Sequence, residues 1–300
     1  MPEIKLSTLP QRLQIMASIT VDVLPYKALF IADPFIFHKS DRYHLFCEVF
    51  VSQEDKRIVH LESLDMLYWV WAADVLAGDD YSFPAVYDLG REDELVIVPQ
   101  ISGTRNIRAY NYCLIKRSTS LHWSVELEEE TRDLIFVRNP ISGKSYLIYG
   151  ASHYRRAALL ASEVEIELVS GTSAPAVKKP IVVAKRGFFE GVIAKVFPLG
   201  RLTFRPAGNP FDVDADGFVL PVQATRSGIY GEMFAFVKIG WDFQIKSTTY
   251  ISSKDLSPAF ERTHHISQIK TANGKIVCFD IIPIGGGNRW ELRVAKVAEE

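Results

Sequence analysis

Residues 32–48, ADPFIFHKSDRYHLFCE, contain a short apolar strand, a polar turn and a second strand whose side chains alternate. The phrase recurs, and the inner hairpins of the further copies lie near residues 83–100, 132–150, 205–223 and 264–280. The copies begin about 50 to 70 residues apart, close to the length of a four-stranded propeller blade. The repeat predicts one all-β domain over residues 1–300, a five-bladed β-propeller with four-stranded antiparallel blades. A β-sandwich with similar hairpins is the alternative.

Composition and turn residues favour strands throughout the chain. The sequence has 18 Phe, 12 Tyr and 5 Trp, and these aromatic residues favour strands. Asp216-Gly217 and Asn273-Gly274 stand between alternating segments and predict tight hairpins. Residues 290–294, or the N-terminal residues 15–23, are expected to complete a blade and close the ring.

Charge and cysteine usage exclude several classes of function. Lys and Arg total 34 against 36 Asp and Glu, a net charge of -2, which gives no basic field for nucleic acid. No apolar run is long enough to span a bilayer, and the N-terminus shows no secretory signal, so a cytoplasmic location is expected. The three cysteines form no paired motif, which argues against a zinc site or a disulfide framework. The oligomeric state stays open.

Polar residues stand where the inner strands of different blades begin. Asp33, Asp133, Arg205, His264 and His265 all occupy such positions. Inner strands of a propeller converge on a central axis, so these side chains are expected to meet at one end of the channel. Burying them without partners would be costly, and together they predict a binding funnel.

Several motifs resemble known propellers. Residues 32–35 (ADPF) and 43–48 (YHLFCE) resemble the first blade of glycoside hydrolase family 43. A closer resemblance is to the propeller domain of glucosamine inositolphosphorylceramide transferases and their bacterial relatives. The motifs that carry it are RPAG at 205–208, PVQ at 221–223 and YGE at 230–232, and THHIS at 263–267 resembles the fifth blade of the hydrolases. The resemblance covers about residues 28–282 and implies a carbohydrate-active site.

The resemblance implies three catalytic acids at the axis. Asp33 matches the general base, and Asp133 matches the acid that orients and tunes pKa values, although Leu134 stands where a Pro is usual. The general acid is either Glu190, in FFEG at 188–191, or Glu232. Inversion at a sugar carbon places base and acid about 6.5 to 9.5 Å apart, with a water between them. The acid must hold its proton near neutral pH, through burial or a neighbouring carboxylate.

The predicted binding residues surround these acids. They are Glu48, Gln100, Arg205, Tyr230, His264 and His265, and Gln100 stands where the transferase-associated propellers often have Glu. Phe35, Tyr87 and Phe189 are further candidates, with Tyr230, for stacking on a sugar ring. No cofactor is required, although an axial cation or water near His265 is expected. Structural roles are the alternative: Asp33 capping a turn, and Asp133 pairing with Arg132 or Arg205.

Three functions follow, in order of preference. The first is an enzyme that cleaves or transfers a glycosidic bond. The second is a non-catalytic module that binds a glycan or a nucleotide-sugar for a glycosyltransferase or polysaccharide pathway, which Gln100 favours. The third is a protein-interaction scaffold, for which a funnel without a polar cluster and an exposed apolar rim are expected.

Overall fold

The chain folds as an all-β, five-bladed propeller, and the predicted fold class is confirmed. The computed structural model describes residues 3–6, 13–78, 80–128, 130–151, 157–165, 176–185, 202–226, 229–252, 261–272, 274–283 and 290–298. Each blade contains four antiparallel strands, and blade numbers I to V follow the chain from its first hairpin. Among the described residues, no helix has the length and apolar character needed to cross a membrane.

The strands are numbered along the chain. Blade I contains β3 (Phe30–Lys39), β4 (Arg42–Ser52), β5 (Asp55–Ser63) and β6 (Val70–Ala77). Blade II contains β7 (Tyr81–Asp88), β8 (Glu94–Ile101), β9 (Asn106–Cys113) and β10 (Ser118–Glu126). Blade III contains β11 (Thr131–Arg138), β12 (Ser145–Ala151), β13 (Ala157–Glu165) and β15 (Ile181–Lys185), and the short β14 (Ala176–Val177) also pairs with β13.

The last two blades contain strands from both ends of the chain. Blade IV contains β16 (Leu202–Pro206), β17 (Gly217–Arg226), β18 (Ile229–Gly240) and β19 (Ile245–Ser252), and β1 (Glu3–Leu6) adds a parallel strand beside β19. Blade V contains β21 (Ile266–Thr271), β22 (Gly274–Pro283), β23 (Glu291–Val297) and β2 (Leu13–Ile19), with the short β20 (Glu261–Arg262) beside β22. Because β2 pairs with β23, the N-terminal segment closes the ring, and both segments expected to complete a blade lie in blade V.

Apolar faces of neighbouring blades form the core. One cluster runs through blades I to IV, and a second joins blade I to blade V. Strand residues alternate between the two faces of a blade, so each blade can bury apolar side chains on both sides. The stacking of the blades brings the inner strands β3, β7, β11, β16 and β21 together around the axis.

A backbone hydrogen bond joins the Arg-Pro-Ala-Gly turn of blade IV to blade V. The Ile266 N–H donates to the Ala207 carbonyl at 2.8 Å, and the Ala207 N–H donates to the Pro221 carbonyl at 2.9 Å. Gly208 follows with a φ of +148°, and a Cβ there would lie 1.8 Å from the Ile266 carbonyl oxygen. The Arg-Pro-Ala-Gly turn therefore needs its glycine, because only a residue without a side chain permits this close approach.

Candidate functional site

A repeated backbone irregularity places the acids at the axis. The inner strands of blades I, II and III each show a register shift with their partner strand, at Ala32/Phe35, Ser82/Ala85 and Arg132/Ile135. The residue at each shift has a positive φ: 51° at Asp33, 44° at Phe83 and 51° at Asp133. Such bulges bend a strand and re-aim a side chain, and Asp tolerates the left-handed region better than most residues.

The funnel contains a cavity of about 460 Å³, a size typical of small-ligand sites. Six residues expected in the site line this one cavity: Asp33, Glu48, Gln100, Asp133, Arg205 and His264. Five of them lie in the first or second strand of blades I to IV, and His264 lies just before β21 of blade V. Residues that are far apart in sequence therefore share one pocket.

His264 lies between two buried carboxylates. Its Nδ1 is 2.6 Å from Asp280 Oδ2, and its Nε2 is 3.2 Å from Asp33 Oδ1. Burial alone would lower the pKa of His264, but Asp280 and Asp33 outweigh burial and hold that pKa well above its usual value. The ring is therefore an imidazolium near neutral pH. Asp280 Oδ1 also accepts the backbone N–H groups of His264 and His265, at 3.0 and 3.1 Å, which fixes this chain in place.

Asp33 and Glu48 form a hydrogen-bonded carboxyl pair. Burial raises the pKa of Glu48, and the neighbouring Asp33 charge raises it further, well above the usual range. Burial would also raise the pKa of Asp33, but the hydrogen bond and charge of His264 outweigh it and hold that pKa below the usual range. Glu48 therefore keeps its proton and donates a hydrogen bond to the ionised Asp33, because two adjacent buried carboxyl groups do not both ionise.

Asp133 is held by blades II and IV. Its Oδ2 lies 2.8 Å from Arg205 Nε and accepts from Gln223 Nε2 at 3.2 Å, while its backbone N–H donates to Gln100 Oε1 at 2.6 Å. Burial raises the pKa of Asp133 to about 6, although Arg205 opposes the shift. Asp133 is thus a group that gains and loses a proton near neutral pH. Its pairing with Arg205 also agrees with the structural alternative given above.

His265 is fully buried and, unlike His264, does not line the cavity. Its ring packs on Phe35 and Phe83, with centroid distances of 4.8 and 5.2 Å. Burial lowers the pKa of His265 to about 4, so the ring is neutral near pH 7. Neither ring nitrogen hydrogen-bonds to another described residue.

An aromatic wall flanks the acids, and it differs from the one expected. Phe30 stacks on Phe50 at 4.9 Å and on Trp290 at 4.6 Å between ring centroids, and all three rings line the cavity. Phe35 is fully buried in the core, and the Tyr87 hydroxyl accepts the Phe136 N–H at 2.7 Å, so neither of these two is a stacking residue in the cavity.

Four other candidates have no described side chain. Glu190 and Phe189 lie outside the described residues. Tyr230 and Glu232 belong to β18, but the side chains of this strand are described only from Phe234 onward. The roles expected of these four residues stay predictions.

Sequence reasoning missed Asp280 and Gln223, which hold His264 and Asp133. A signal for both was present: in four of the five copies the second strand carries a polar residue after its apolar run, at Glu48, Gln100, Gln223 and Asp280. Aligning the copies on this position identifies the two missed partners.

The comparisons with known structures agree with this fold. An α-L-arabinofuranosidase from Podospora anserina, solved with cellotriose, matches with a TM-score of 0.65 and 12% identity over 96% of this chain and 98% of the other. The endo-arabinase of Bacteroides thetaiotaomicron matches with a TM-score of 0.63, 12% identity and the same coverage. A thermostable family-43 glycoside hydrolase matches with a TM-score of 0.57 and 12% identity over 90% of both chains. No family model and no curated protein sequence matches the chain. The chain thus has the five-bladed propeller fold that is also found in family 43 and family 62 glycosidases.

Proposed function

We propose that the protein binds a carbohydrate in the axial funnel and cleaves or transfers a glycosidic bond, with Asp33 as the general base. The observation that carries this proposal is the proton distribution in one cavity: Asp33 is ionised, while Glu48 holds a proton and Asp133 has a pKa of about 6. Acid–base cleavage of a glycoside requires both kinds of carboxyl group at once.

The proton donor is a carboxyl group other than Glu48. Glu48 hydrogen-bonds directly to Asp33, so a sugar and a water do not fit between these two groups. Asp133, Glu190 and Glu232 are the three candidates, and Asp133 has the support of its raised pKa. Glu48 and Arg205 bind substrate hydroxyl groups, and the wall of Phe30, Phe50 and Trp290 stacks on a sugar ring.

The test uses aryl glycosides with good and poor leaving groups. The neighbours include arabinan-active enzymes, so aryl α-L-arabinofuranosides and arabinan start a broad panel that also contains cello-oligosaccharides. Replacing the base, as in Asp33→Asn, lowers turnover of every substrate. Replacing the acid removes turnover only where the leaving group needs a proton, so Asp133→Asn, Glu190→Gln and Glu232→Gln identify the donor. Equal losses on both kinds of substrate in all three variants would contradict an acid role.

A non-catalytic glycan- or nucleotide-sugar-binding module is the second candidate. His264 and Glu48 both bind the Asp33 carboxylate and hold its pKa low, and such a carboxylate takes a proton from water poorly. Titration calorimetry separates the two candidates: a sugar that binds the wild type, loses affinity in Arg205→Gln and is never turned over favours the module. The scaffold alternative expects a funnel without the polar cluster described above.

An axial cation or water beside His265 is part of the proposal. A neutral buried ring whose nitrogens have no described hydrogen-bond partner retains a lone pair for such a ligand. Its role would be to hold the His265 ring in position.

A further inference from the structure

A second cluster of ligand-type side chains is buried in blade I, away from the funnel. His44 lies in β4, and His60 and Glu62 lie in β5. Their exposed fractions are 2%, 0% and 8%, and none of the three lines the axial cavity. The proposed carbohydrate chemistry uses none of them.

The three side chains point one ligand atom each at a common centre. His44 Nδ1 lies 3.0 Å from His60 Nε2, and His60 Nε2 lies 3.8 Å from Glu62 Oε1. All three atoms lie within 4.8 Å of one another. Tetrahedral zinc, with bonds of about 2.0 to 2.2 Å, separates its ligand atoms by about 3.3 to 3.5 Å. The two shortest separations between ligand atoms in the cluster, 3.0 and 3.8 Å, lie just below and just above this range. Small side-chain rotations would bring both into it.

The opposite nitrogens of both rings are held by fixed partners. His44 Nε2 lies 3.2 Å from the Lys39 carbonyl oxygen and donates to it, which leaves the lone pair on Nδ1, facing the cluster. His60 Nδ1 lies 3.0 Å from the Tyr112 hydroxyl, which can accept from it. Histidines that bind metals usually donate their other N–H to a carbonyl or a similar acceptor, and this bond fixes the orientation of the ring.

The second oxygen of Glu62 is held by arginines. Arg117 Nη2 lies 3.3 Å and Arg42 Nη1 lies 3.9 Å from Glu62 Oε2, which leaves Oε1 directed at the histidines. The guanidinium charges weaken the attraction for a further cation, so the site depends on its nitrogen ligands. Zinc and similar transition metals prefer imidazole, whereas magnesium and calcium prefer oxygen ligands.

We propose that His44, His60 and Glu62 form a binding site for one divalent transition-metal ion, zinc fitting best, which links β4 to β5 in blade I. Three protein ligands leave one position for water. The competing arrangement is a metal-free hydrogen-bond chain in which His60 Nε2–H donates to His44 Nδ1. The proposal is independent of the carbohydrate chemistry.

The test is metal titration of the full chain after treatment with a chelator and dialysis. Cobalt is expected to bind in a one-to-one ratio with the intense visible absorption of a tetrahedral ion, and zinc is expected to displace it. Zinc in hundredfold excess over its dissociation constant should raise the Tm by about 5 °C. His44→Gln and Glu62→Gln should abolish the absorption and the Tm shift.

Two variants with matched substitutions serve as controls. His38→Gln changes an exposed histidine of β3, and Asp33→Asn removes a ligand-type group from the funnel. Both should retain the cobalt spectrum. If the spectrum persists in His44→Gln and Glu62→Gln, or if the wild type gives no tetrahedral spectrum, the cluster is a hydrogen-bond chain and the proposal is wrong. Should a variant fail to fold, anomalous diffraction from a zinc-soaked wild-type crystal decides: a peak among the three atoms supports the site, and its absence overturns it.

Discussion

Blades I and III differ from blade II at one position of the same bulge. Asp33 and Asp133 occupy it in blades I and III, and Phe83 occupies it in blade II, each with a φ between 44° and 51°. The two aspartates contact His264 and Arg205, whereas Phe83 packs on Phe35 and His265. The bulge therefore fixes where a side chain points, and the residue type decides whether that direction supplies chemistry or packing.

The comparison also shows a difference in backbone cost. Asp is several-fold enriched in the left-handed region, whereas a bulky residue there is an outlier that the surroundings must stabilise. Phe83 is 1% exposed and packs against Phe35 and His265. Burial of its ring offsets the strain, so blade II has an apolar core residue at the position where blades I and III have an acid.

The largest effect is expected from placing a third acid in the bulge with Phe83→Asp. Loss of the buried ring should cost about 3 to 5 kcal/mol. The new carboxyl would lie buried near Asp33 and Asp133, so its ionisation should lower the free energy of unfolding further as pH rises. Denaturant unfolding at pH 5 and pH 8 measures this.

Phe83→Asn is the matched control, because it has the same shape without the charge. Relative to this control, Phe83→Asp should lose at least about 1.4 kcal/mol more at pH 8 than at pH 5, the free energy of one pKa unit. Equal losses at both pH values would show that position 83 does not face the acids.

The second effect concerns Asp33. Asp33→Asn keeps the shape and tolerates the left-handed backbone, but it removes the base and the charge that faces His264. Turnover of any substrate found in the glycoside panel should fall about 10²- to 10⁴-fold, with a Tm change of only a few degrees. Asp88→Asn, which changes an exposed partner of Lys39, should keep full activity. A collapse of the fold in step with activity would make Asp33 a structural residue.

The third effect is a pH dependence of stability from Asp133. Its folded pKa of about 6 is above the unfolded value, so Asp133 keeps its proton in the folded protein where the unfolded chain has lost it. Its contribution to stability is greatest below pH 4 and is lost as pH rises through 6, by about 3 kcal/mol. Other groups also titrate in this window, so the measurement is the difference in unfolding free energy between wild type and Asp133→Asn across pH 4 to 7. A flat difference curve would contradict the raised pKa.

The smallest effect is expected from Gln100→Glu, which places a carboxyl group beside Asp133. The new carboxylate still accepts the Asp133 N–H, but its charge should raise the pKa of Asp133 further. The inflection in the difference curve should move up by about half to one pH unit. The exposed Gln244→Glu is the control and should leave the inflection in place.

The fold and the grouping of several site residues in one cavity could be predicted from the sequence. Five similar hairpins predicted five blades. The positions of Asp33, Asp133, Arg205 and His264 at strand starts predicted a shared funnel, and all four residues line the cavity. The contacts between site side chains were harder to predict, because they depend on which blades become neighbours around the axis. Asp280 reads as one more alternating strand residue until β22 places it against His264.

The proton states could not be read from residue types. Glu48 and Asp33 are both ordinary carboxyl groups in the sequence, and only burial, a direct hydrogen bond and the nearby imidazolium separate their pKa values. The aromatic wall was misplaced because position along a strand matters as well as its face. Phe30 and Phe35 stand opposite Phe50 and Phe46 of β4, on the same face of blade I, but Phe30 at the start of β3 lines the cavity and Phe35 lies in the core.

The central claim is that the axis holds an ionised Asp33 next to a protonated Glu48. Infrared difference spectroscopy of wild type against Glu48→Gln at pH 7 measures this directly, through the carbonyl stretch of a protonated carboxyl group. We predict that the wild type shows this band, that Glu48→Gln lacks it and that Asp88→Asn retains it. A wild-type spectrum at pH 7 without a protonated-carboxyl band assignable to Glu48 would contradict the account.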